Sequence, residues 1–461
     1  MPANLLDAAR ARPASSGSPT QNGQAQPGNQ GFTTTDGPKA ELLEACVRCG
    51  ACIQSCPSYQ ELGIEADDPR GRVFLITAVH DQQLPINESF EKHIYRCLDC
   101  RACETVCPMG VQVGRLIEEA RGEIRQVLPA RGFRGWIIRL VLGQLFPYPW
   151  RIELLSQLIA LVRRSGLAGL ARRLGVTRLL PKHLQRMELH MPTPPLKPAR
   201  KRLGRRVAAQ GEQRGQVALL HGCVMNTIFA NATEATASVL TANGWEVVLP
   251  PGQTCCGALH IHEGDREGAK KLARQNIAAF EASGAKAYLV NAAGCGSALK
   301  EYATLLEHDS AWAKRAEAFS ATVRDVQEFL VESGYRAPKA AFATRAVYQD
   351  ACHLAHAQGV RRQPRELLKS VPGLVLVEMP ASDRCCGSAG IYNVTHPEIA
   401  EPLLVRKIAD IPHDAEVLVT ANPGCHLQLL RGLREAGRSV PVMHVMEILA
   451  AAYGEGPIRG N

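Results

Sequence analysis

Cys46-Val47-Arg48-Cys49-Gly50-Ala51-Cys52-Ile53-Gln54-Ser55-Cys56-Pro57 sets three cysteines two residues apart and a fourth three residues on, ahead of proline. The spacing returns at Cys97, Cys100, Cys103 and Cys107, again followed by a proline, Pro108. Three thiolates so spaced wrap three irons of a cubane, and in two-cluster ferredoxins the fourth cysteine ligates the neighbouring cluster. The expected ligand sets are therefore crossed. Cys46, Cys49, Cys52 and Cys107 hold one [4Fe–4S] cluster, and Cys97, Cys100, Cys103 and Cys56 hold the other. Zinc normally closes with four ligands in two pairs and needs neither the third cysteine nor the repeated Cys-Pro ending. A chain built on two such sites moves electrons one at a time.

Outward from the motifs, 40 residues separate Cys56 from Cys97, a long gap for a compact ferredoxin. Asp68-Pro69-Arg70-Gly71-Arg72 leads into the apolar run Val73–Ile76, and Phe90–Tyr95 leads into the second motif. Apolar residues recur there at helical spacing, and Gly110–Arg125 reads as a further helix. The spacing predicts an α-helical ferredoxin-like domain over residues 39–126, its motifs held by helices and not by hairpins.

The chain has 461 residues, room for about three domains, and 46% hydrophobic residues, enough for a sizeable core. Its 16 cysteines cluster as ligands and not as a disulfide framework, which points to a reducing compartment. Near the start no apolar stretch is long enough for a signal peptide. Residues 1–35 are poor in acids and rich in Gln, Asn, Gly, Pro and Thr, a composition open to a transit peptide or a disordered tail. The expectation is a bacterial cytoplasmic protein whose residues 1–38 form a disordered tail.

The net charge of +9 is uneven: residues 124–206 carry 18 Lys and Arg against only Glu153 and Glu188. Residues 127–214 form a basic, apolar helical connector and linker. Trp136, Ile137, Ile138, Leu140, Val141, Leu142, Leu145 and Phe146 make one amphipathic run, interrupted by Arg139 and broken at Pro147 and Pro149. A second, Ile152–Val162, ends at Arg163-Arg164. Neither reaches the roughly 18 uncharged apolar residues of a membrane span. Two readings stand. Either Trp136, Phe146, Tyr148 and Trp150 meet lipid beside basic residues, or the helices pack against neighbouring domains or a partner subunit. Proline breaks and apolar content argue against nucleic-acid binding. Residues 191–214, with Pro192, Pro194, Pro195 and Pro198, read as a linker.

Beyond Gln216 the chain repeats itself. Val217–Leu220 leads to Cys223, Glu246–Leu249 to Cys255-Cys256-Gly257, and Tyr288–Val290 to Cys295. Then Val347–Tyr348 leads to Cys352, Val375–Val377 to Cys385-Cys386-Gly387, and Val417–Thr420 to Cys425. The offsets between matched cysteines are 129, 130 and 130 residues, the mark of a duplicated α/β unit. Short β-branched runs alternate with helical stretches such as Ala230–Ala242 and Gly268–Ala282, so parallel sheets flanked by helices follow. The expected repeats are 215–335 and 336–461, with the cysteines at the carboxyl edges of the strands, where open α/β sheets keep their sites.

These eight cysteines resemble the cysteine-rich "CCG" family of heterodisulfide reductase, anaerobic glycerol-3-phosphate dehydrogenase and lactate-utilisation proteins. That family's pattern is a cysteine, then Cys-Cys-Gly, then Cys-x-x-Cys. Here Gly296-Ser297-Ala298 follows Cys295 and His426-Leu427-Gln428 follows Cys425, so the last cysteine is absent from both halves. Four thiols per half suffice for a cubane and fall short of the larger noncubane sites. Cys223, Cys255, Cys256, Cys295, Cys352, Cys385, Cys386 and Cys425 are therefore candidates for an extra iron–sulfur site or for a docking surface without metal. His221, His260, His262, His353, His356 and His426 stand close enough in sequence to complete a site, although such histidines more often serve as hydrogen-bonding residues.

Gly294-x-Gly296 lacks the third glycine of a dinucleotide fingerprint, and neither a Ser/His/Asp nor a paired-carboxylate arrangement stands out. Two-electron chemistry on an organic substrate would then belong to another subunit, a flavoprotein. From about Thr35 onward the order of parts resembles the iron–sulfur subunit of bacterial glycolate oxidase. The telling stretches are Cys46–Cys52, Asp68–Arg72, Tyr95–Cys107, Leu220–Met225 and Thr254–His260. The resemblance implies a complex with two FAD-binding subunits that oxidises glycolate to glyoxylate, with quinone as acceptor, D-lactate as a common second substrate and FAD only on the partners. The basic, apolar residues 132–190 are expected to attach the complex peripherally to the inner membrane or to a partner, without spanning the bilayer. The iron–sulfur subunits of lactate-utilisation and anaerobic glycerol-3-phosphate dehydrogenase complexes share both cysteine-rich parts. A self-contained disulfide reductase would need the fuller cysteine pattern.

Overall fold

The computed structural model describes residues 31–129, 135, 136, 138 and 140–454. The first 30 residues of the expected tail, and Ile137 and Arg139 of the first amphipathic run, lie outside the described residues. Gly31–Pro38 corrects the tail expectation. The backbone N–H groups of Thr33 and Thr34 donate to the Glu123 carboxylate at 2.9 and 3.0 Å, and Asp36 pairs with Lys270 and, at 3.5 Å, with Arg266. Glu123 is 1% exposed; without these donors its carboxylate would be buried and unpaired, a cost of several kcal/mol. That cost ties the segment down.

From Ala40 to Val127 the described residues form helices and no strands. Asp68 caps the helix Pro69–His80 by accepting from Gly71 N at 2.6 Å, and Asn87 caps Glu88–Tyr95 by accepting from Phe90 N at 3.0 Å. A Cβ on Gly71 would stand 2.0 Å from Glu65 O, so only glycine lets the chain turn this tightly into the helix. The expected helix over Gly110–Arg125 runs Val113–Val127. Val73, Ile76, Phe90, Ile94, Leu116 and Ile117 meet in one core between the three helices.

The repeat region contains two sheets. In the first, β1 (Arg206–Val207), β2 (Gly215–Leu219), β3 (Trp245–Val248), β4 (Tyr288–Val290) and β5 (Val323–Asp325) run in the order β1-β3-β2-β4-β5. In the second, β6 (Thr344–Tyr348), β7 (Leu374–Val377), β8 (Val417–Thr420) and β9 (Val442–His444) run β7-β6-β8-β9. All pairings are parallel except β1 with β3. Without β1 the two orders are the same, which is the duplication expressed as topology. Six strands fall where the β-branched runs predict them. β5 and β9 were not foreseen: each is three residues long and runs into a capping box, Asp325 with Glu328 and His444 with Glu447. That local pattern could have marked them.

One boundary needs correction, and the two repeats share a core. Arg206–Val207, inside the expected linker 191–214, pairs antiparallel with β3 and covers an edge of backbone N–H and C=O groups that would otherwise be bare. The repeats are not separate cores either: Val217, Leu219 and Val239 share one cluster with Val347, Val419 and Ile448. The C-terminal helix Val445–Ala452 of the second half packs on Ala230–Ala242 of the first.

The connector helix Pro149–Arg164 turns its apolar face outward. It buries Glu153, Ser156 and Ala160, whereas Leu154, Leu158 and Leu161 are at least half exposed. Glu153 holds the inner face by accepting from Arg200 and from Asn226 at 2.9 Å. Packing against this chain's own domains, one half of the second reading, therefore does not occur for the leucine face, whereas in the first run Leu142 is buried and Phe146 packs on the core of the first repeat. Among the described residues no single helix is long and apolar enough to cross a membrane; Pro149–Arg164 and Leu167–Arg173 reach the length only as a pair bent by 69°.

Candidate metal centres

The two cysteine motifs fold into matching loops. Arg48 and Gly50 in the first, and Asp99 and Arg101 in the second, take left-handed backbone conformations at equivalent positions, with φ of 58°, 83°, 52° and 61°. These turns bring the thiols of each loop to face one another. Cys46, Cys49, Cys52, Cys103 and Cys107 line one cavity. Cys56, Cys97, Cys100 and Cys103 line a second. Pro69, Val113 and Cys103 border both, so a thin apolar wall stands between them.

The donor set fits iron–sulfur clusters. It consists of soft thiols in apolar surroundings, with backbone N–H groups turned to sulfur: Asp99 N to Cys97 Sγ at 3.3 Å and Val111 N to Cys107 Sγ at 3.4 Å. Burial pushes the Cys52 thiol up to about 11, with the Asp68 carboxylate adding to the rise. Burial likewise raises Cys97, Cys100 and Cys103. Such groups stay protonated until a metal displaces the proton. The two sites differ in access: Cys49 is exposed, whereas Cys56 and Cys100 are buried.

In the repeat region the other eight cysteines form two groups of four, one per half. Cys223, Cys255, Cys256 and Cys295 lie within hydrogen-bonding reach in series, as do Cys352, Cys385, Cys386 and Cys425. Gly257 and Gly387 both sit at φ 83°, the left-handed turn that lets adjacent cysteines point into one site. The surroundings differ. Cys223 and Cys256 are held well above the ordinary thiol range, by bonding between thiols and by burial. In the second half Cys352 is lowered by its bonds from Cys385 and His353, and Cys386 by bonds from Cys385 and Cys425 with the buried Lys407 contributing. Lys407 donates to the Ala381 and Ser382 carbonyls at 2.9 and 2.7 Å.

The second half abuts the helical unit. Leu98, Cys100, Cys385 and Tyr392 share one apolar cluster, with Cys352 packed on it, and the Tyr392 hydroxyl donates to Arg96 O at 2.8 Å. Asn422 joins the halves, donating to Cys425 Sγ at 3.5 Å and accepting from Gly294 N, beside Cys295, at 3.2 Å. Of the six histidines singled out by sequence, only His353 meets a cysteine sulfur, Cys352 Sγ at 3.5 Å. The His221 ring bonds Gly222 O, that of His260 Leu142 O, and that of His356 Thr105, Arg361 and Asp383, while the His426 ring packs edge-on against Phe229. His262 stands 3.0 Å from Asp99, and with His353 they form an Asp–His–His group within 4.8 Å.

Comparison with known proteins bears on the same regions. A 4Fe-4S dicluster domain matches residues 42–111, a cysteine-rich domain matches 217–300 and again 346–430, and the linker region of the glycolate oxidase iron–sulfur subunit matches 133–191. A probable glycolate oxidase iron–sulfur subunit of Bacillus subtilis is 42% identical over 90% of this chain and 95% of its own length. The chain belongs to the family of glycolate oxidase iron–sulfur subunits. The Escherichia coli member is 34% identical over 89% of this chain and 94% of its own. Lactate utilization protein A of Oceanobacillus iheyensis, 33% identical, aligns over 96% of its length but only 51% of this chain. The extra length and the connector separate this family from that shorter relative.

Proposed function

We propose that this chain is the electron-carrying subunit of a complex that oxidises glycolate to glyoxylate, relaying single electrons from a flavoprotein partner towards quinone. Two thiol-lined cavities sharing a wall carry the reading, since neighbouring one-electron sites exchange rapidly. The ligand sets are the crossed ones, Cys46, Cys49, Cys52 and Cys107 for the outer cluster and Cys97, Cys100, Cys103 and Cys56 for the inner. When bound, the clusters supply the one-electron chemistry; the chain's residues hold, insulate and space them. The two groups of four in the repeat region have the thiols for a cubane each, and Cys352 beside Cys100 supports a continuation of the relay into the second half.

FAD belongs on two partner subunits, where hydride or proton removal takes place. The outward leucine face of Pro149–Arg164, bordered by Arg151 and Arg164, supports peripheral attachment to the cytoplasmic face of the inner membrane. D-lactate is a second substrate for the complex on this reading. Lactate oxidation alone is the alternative, favoured by the match to lactate utilization protein A along nearly all of that protein.

Anaerobically purified chain should hold about eight iron and eight labile sulfide in the first two sites. Iron beyond that count reports the repeat region. By itself the chain should show no flavin spectrum and no glycolate-dependent dye reduction. With its cognate flavin subunits it should accelerate quinone reduction, and Cys49→Ser or Cys103→Ser should abolish the gain. Stoichiometric zinc without labile sulfide, or one flavin per isolated chain, would refute the division of labour.

A further inference from the structure

The motif Asp68-Pro69-Arg70-Gly71-Arg72 places two arginines of one helix beside different cavities. Arg70 borders the outer one, where its side chain is 31% exposed and paired with Glu65. Arg72 borders the inner one and is 1% exposed. Its Nη1 donates to Cys56 Sγ at 3.7 Å, Nη2 donates to Ser58 Oγ at 2.9 Å, and Nε donates to His93 O at 2.9 Å. Ser58 Oγ itself lies 3.2 Å from Cys56 Sγ, so hydroxyl and guanidinium meet at the same sulfur.

The charge is permanent and only partly offset. A guanidinium does not lose its proton in a protein. Asp67, the nearest carboxylate at 3.7 Å, is shared with Arg96 at 2.9 Å and His93 at 2.9 Å, so it does not cancel Arg72. Asp99 also borders the cavity, but Arg101 holds one of its oxygens at 3.0 Å and His262 stands at the other. Arg48, by contrast, is exposed beside the outer cavity and lies over the Phe74 ring. Across about 4 Å a charge acts roughly fourfold more strongly at the effective dielectric of a protein surface than in water, and more strongly still inside.

An iron–sulfur cluster gains one negative charge on reduction, and charge and hydrogen bonds at its sulfurs set its potential. We propose that Arg72 raises the reduction potential of the inner centre above that of the outer one, so that an electron entering at the solvent-facing centre is drawn inward. The step is balanced: the outer centre is oxidised by one electron, the inner is reduced by one, and no proton moves. The outer centre is then re-reduced by the partner's flavin. The inference rests on the ligand reading above, in which Cys56 belongs to the inner centre.

The test is an EPR-monitored redox titration of the full chain, loaded anaerobically, with iron and sulfide counted in each variant. Arg72→Gln should lower the midpoint of one centre by at least about 59 mV, a tenfold change in its one-electron equilibrium, and leave the other in place. Arg72→Lys, which keeps the charge, should retain most of the wild-type value. If Arg72→Gln fails to load, Ser58→Ala carries the test, with a smaller fall at the same centre and a shifted Fe–S stretch for one ligand. Unchanged midpoints with full iron, or equal shifts at both centres, would overturn the inference. Failure of the ligand reading is separate: Cys56→Ser would then cost the outer cluster, or neither cluster, instead of the inner one.

Discussion

Gly387 shows how much one hydrogen atom in place of a methyl group decides. At φ 83° an L-residue is strained, and a Cβ there would stand 2.7 Å from Ala400 O. Gly257 has the same φ, but its nearest neighbour would be an ordinary contact at 3.6 Å. Gly257→Ala should therefore cost about 1–2 kcal/mol, the left-handed penalty alone, and Gly387→Ala about 2–4 kcal/mol as the backbone shifts to relieve the clash. Chemical denaturation of the two variants side by side measures the difference. His444 supplies a pH dependence. Its Nε2 donates to Asn291 O at 2.8 Å while Nδ1 accepts from Met446 N at 3.1 Å, an arrangement only the neutral ring can make. Burial depresses it from the usual 6.5 to about 4. Because the folded value is depressed, its contribution is complete above pH 6.5 and is lost as pH falls towards 4, reaching at most about 3 kcal/mol. Glu447, pushed up to about 7 by burial, works in the opposite sense: its share is complete below 4.5 and is lost as pH rises through 7. His444→Gln should make the acid limb of the stability profile shallower, with the buried His221 and His426 still contributing to it, and leave the alkaline limb in place.

Among the elements, Pro149–Arg164 reverses the usual amphipathic arrangement. Its buried stripe is Glu153, Ser156 and Ala160, anchored by Arg200 and Asn226, while leucines half or more exposed continue through Leu167, Leu170 and Leu174. An apolar face of this extent, left uncovered by the chain's own domains, marks an interaction surface. Vesicles containing anionic lipid should retain the protein at low salt and release much of it as the Debye length falls from about 30 Å at 0.01 M to about 8 Å at 0.15 M. Leu158→Asp with Leu161→Asp should abolish retention without lowering the melting temperature, since neither side chain is in a core. Equal binding by this double variant would remove the leucine face from the contact. Period and polarity revealed the amphipathic helix; only the anchoring of Glu153 decided which way it faces.

At the scale of the molecule, the helical unit and the repeat region differ in what holds them. Cys46, Cys97, Cys103 and Cys107 pack directly on the small core of the helical unit, whereas the sheets share a core that spans both halves. Chelation of iron should accordingly raise amide exchange about tenfold or more across residues 46–56 and 97–113, and leave β2, β4, β6 and β8 protected. Mass-spectrometric hydrogen exchange on the loaded and stripped protein reads this directly. Uniform protection after iron loss would mean that the cysteine loops are held by their helices alone.

What could be read from the chain by itself was local. The Cys-x2-Cys-x2-Cys-x3-Cys-Pro runs, the 130-residue period and the β-branched strands before each cysteine follow from spacing over a few residues, because ligand geometry and strand pleat impose short, regular intervals. The short strands β5 and β9 escaped because neither leads to a cysteine of the repeat, the landmark beside which the six expected strands stand. Tertiary structure alone decided the rest: that Gly31–Pro38 is tied to Glu123, that the halves share one core, that Cys100 lies beside the second group of four thiols, and that Arg72 meets Cys56 while Arg70 meets solvent. Each of these depends on groups brought together from distant parts of the chain. What selects them is the cost of leaving a charge, a backbone edge or an apolar face without a partner, a cost that exists only once the chain has folded.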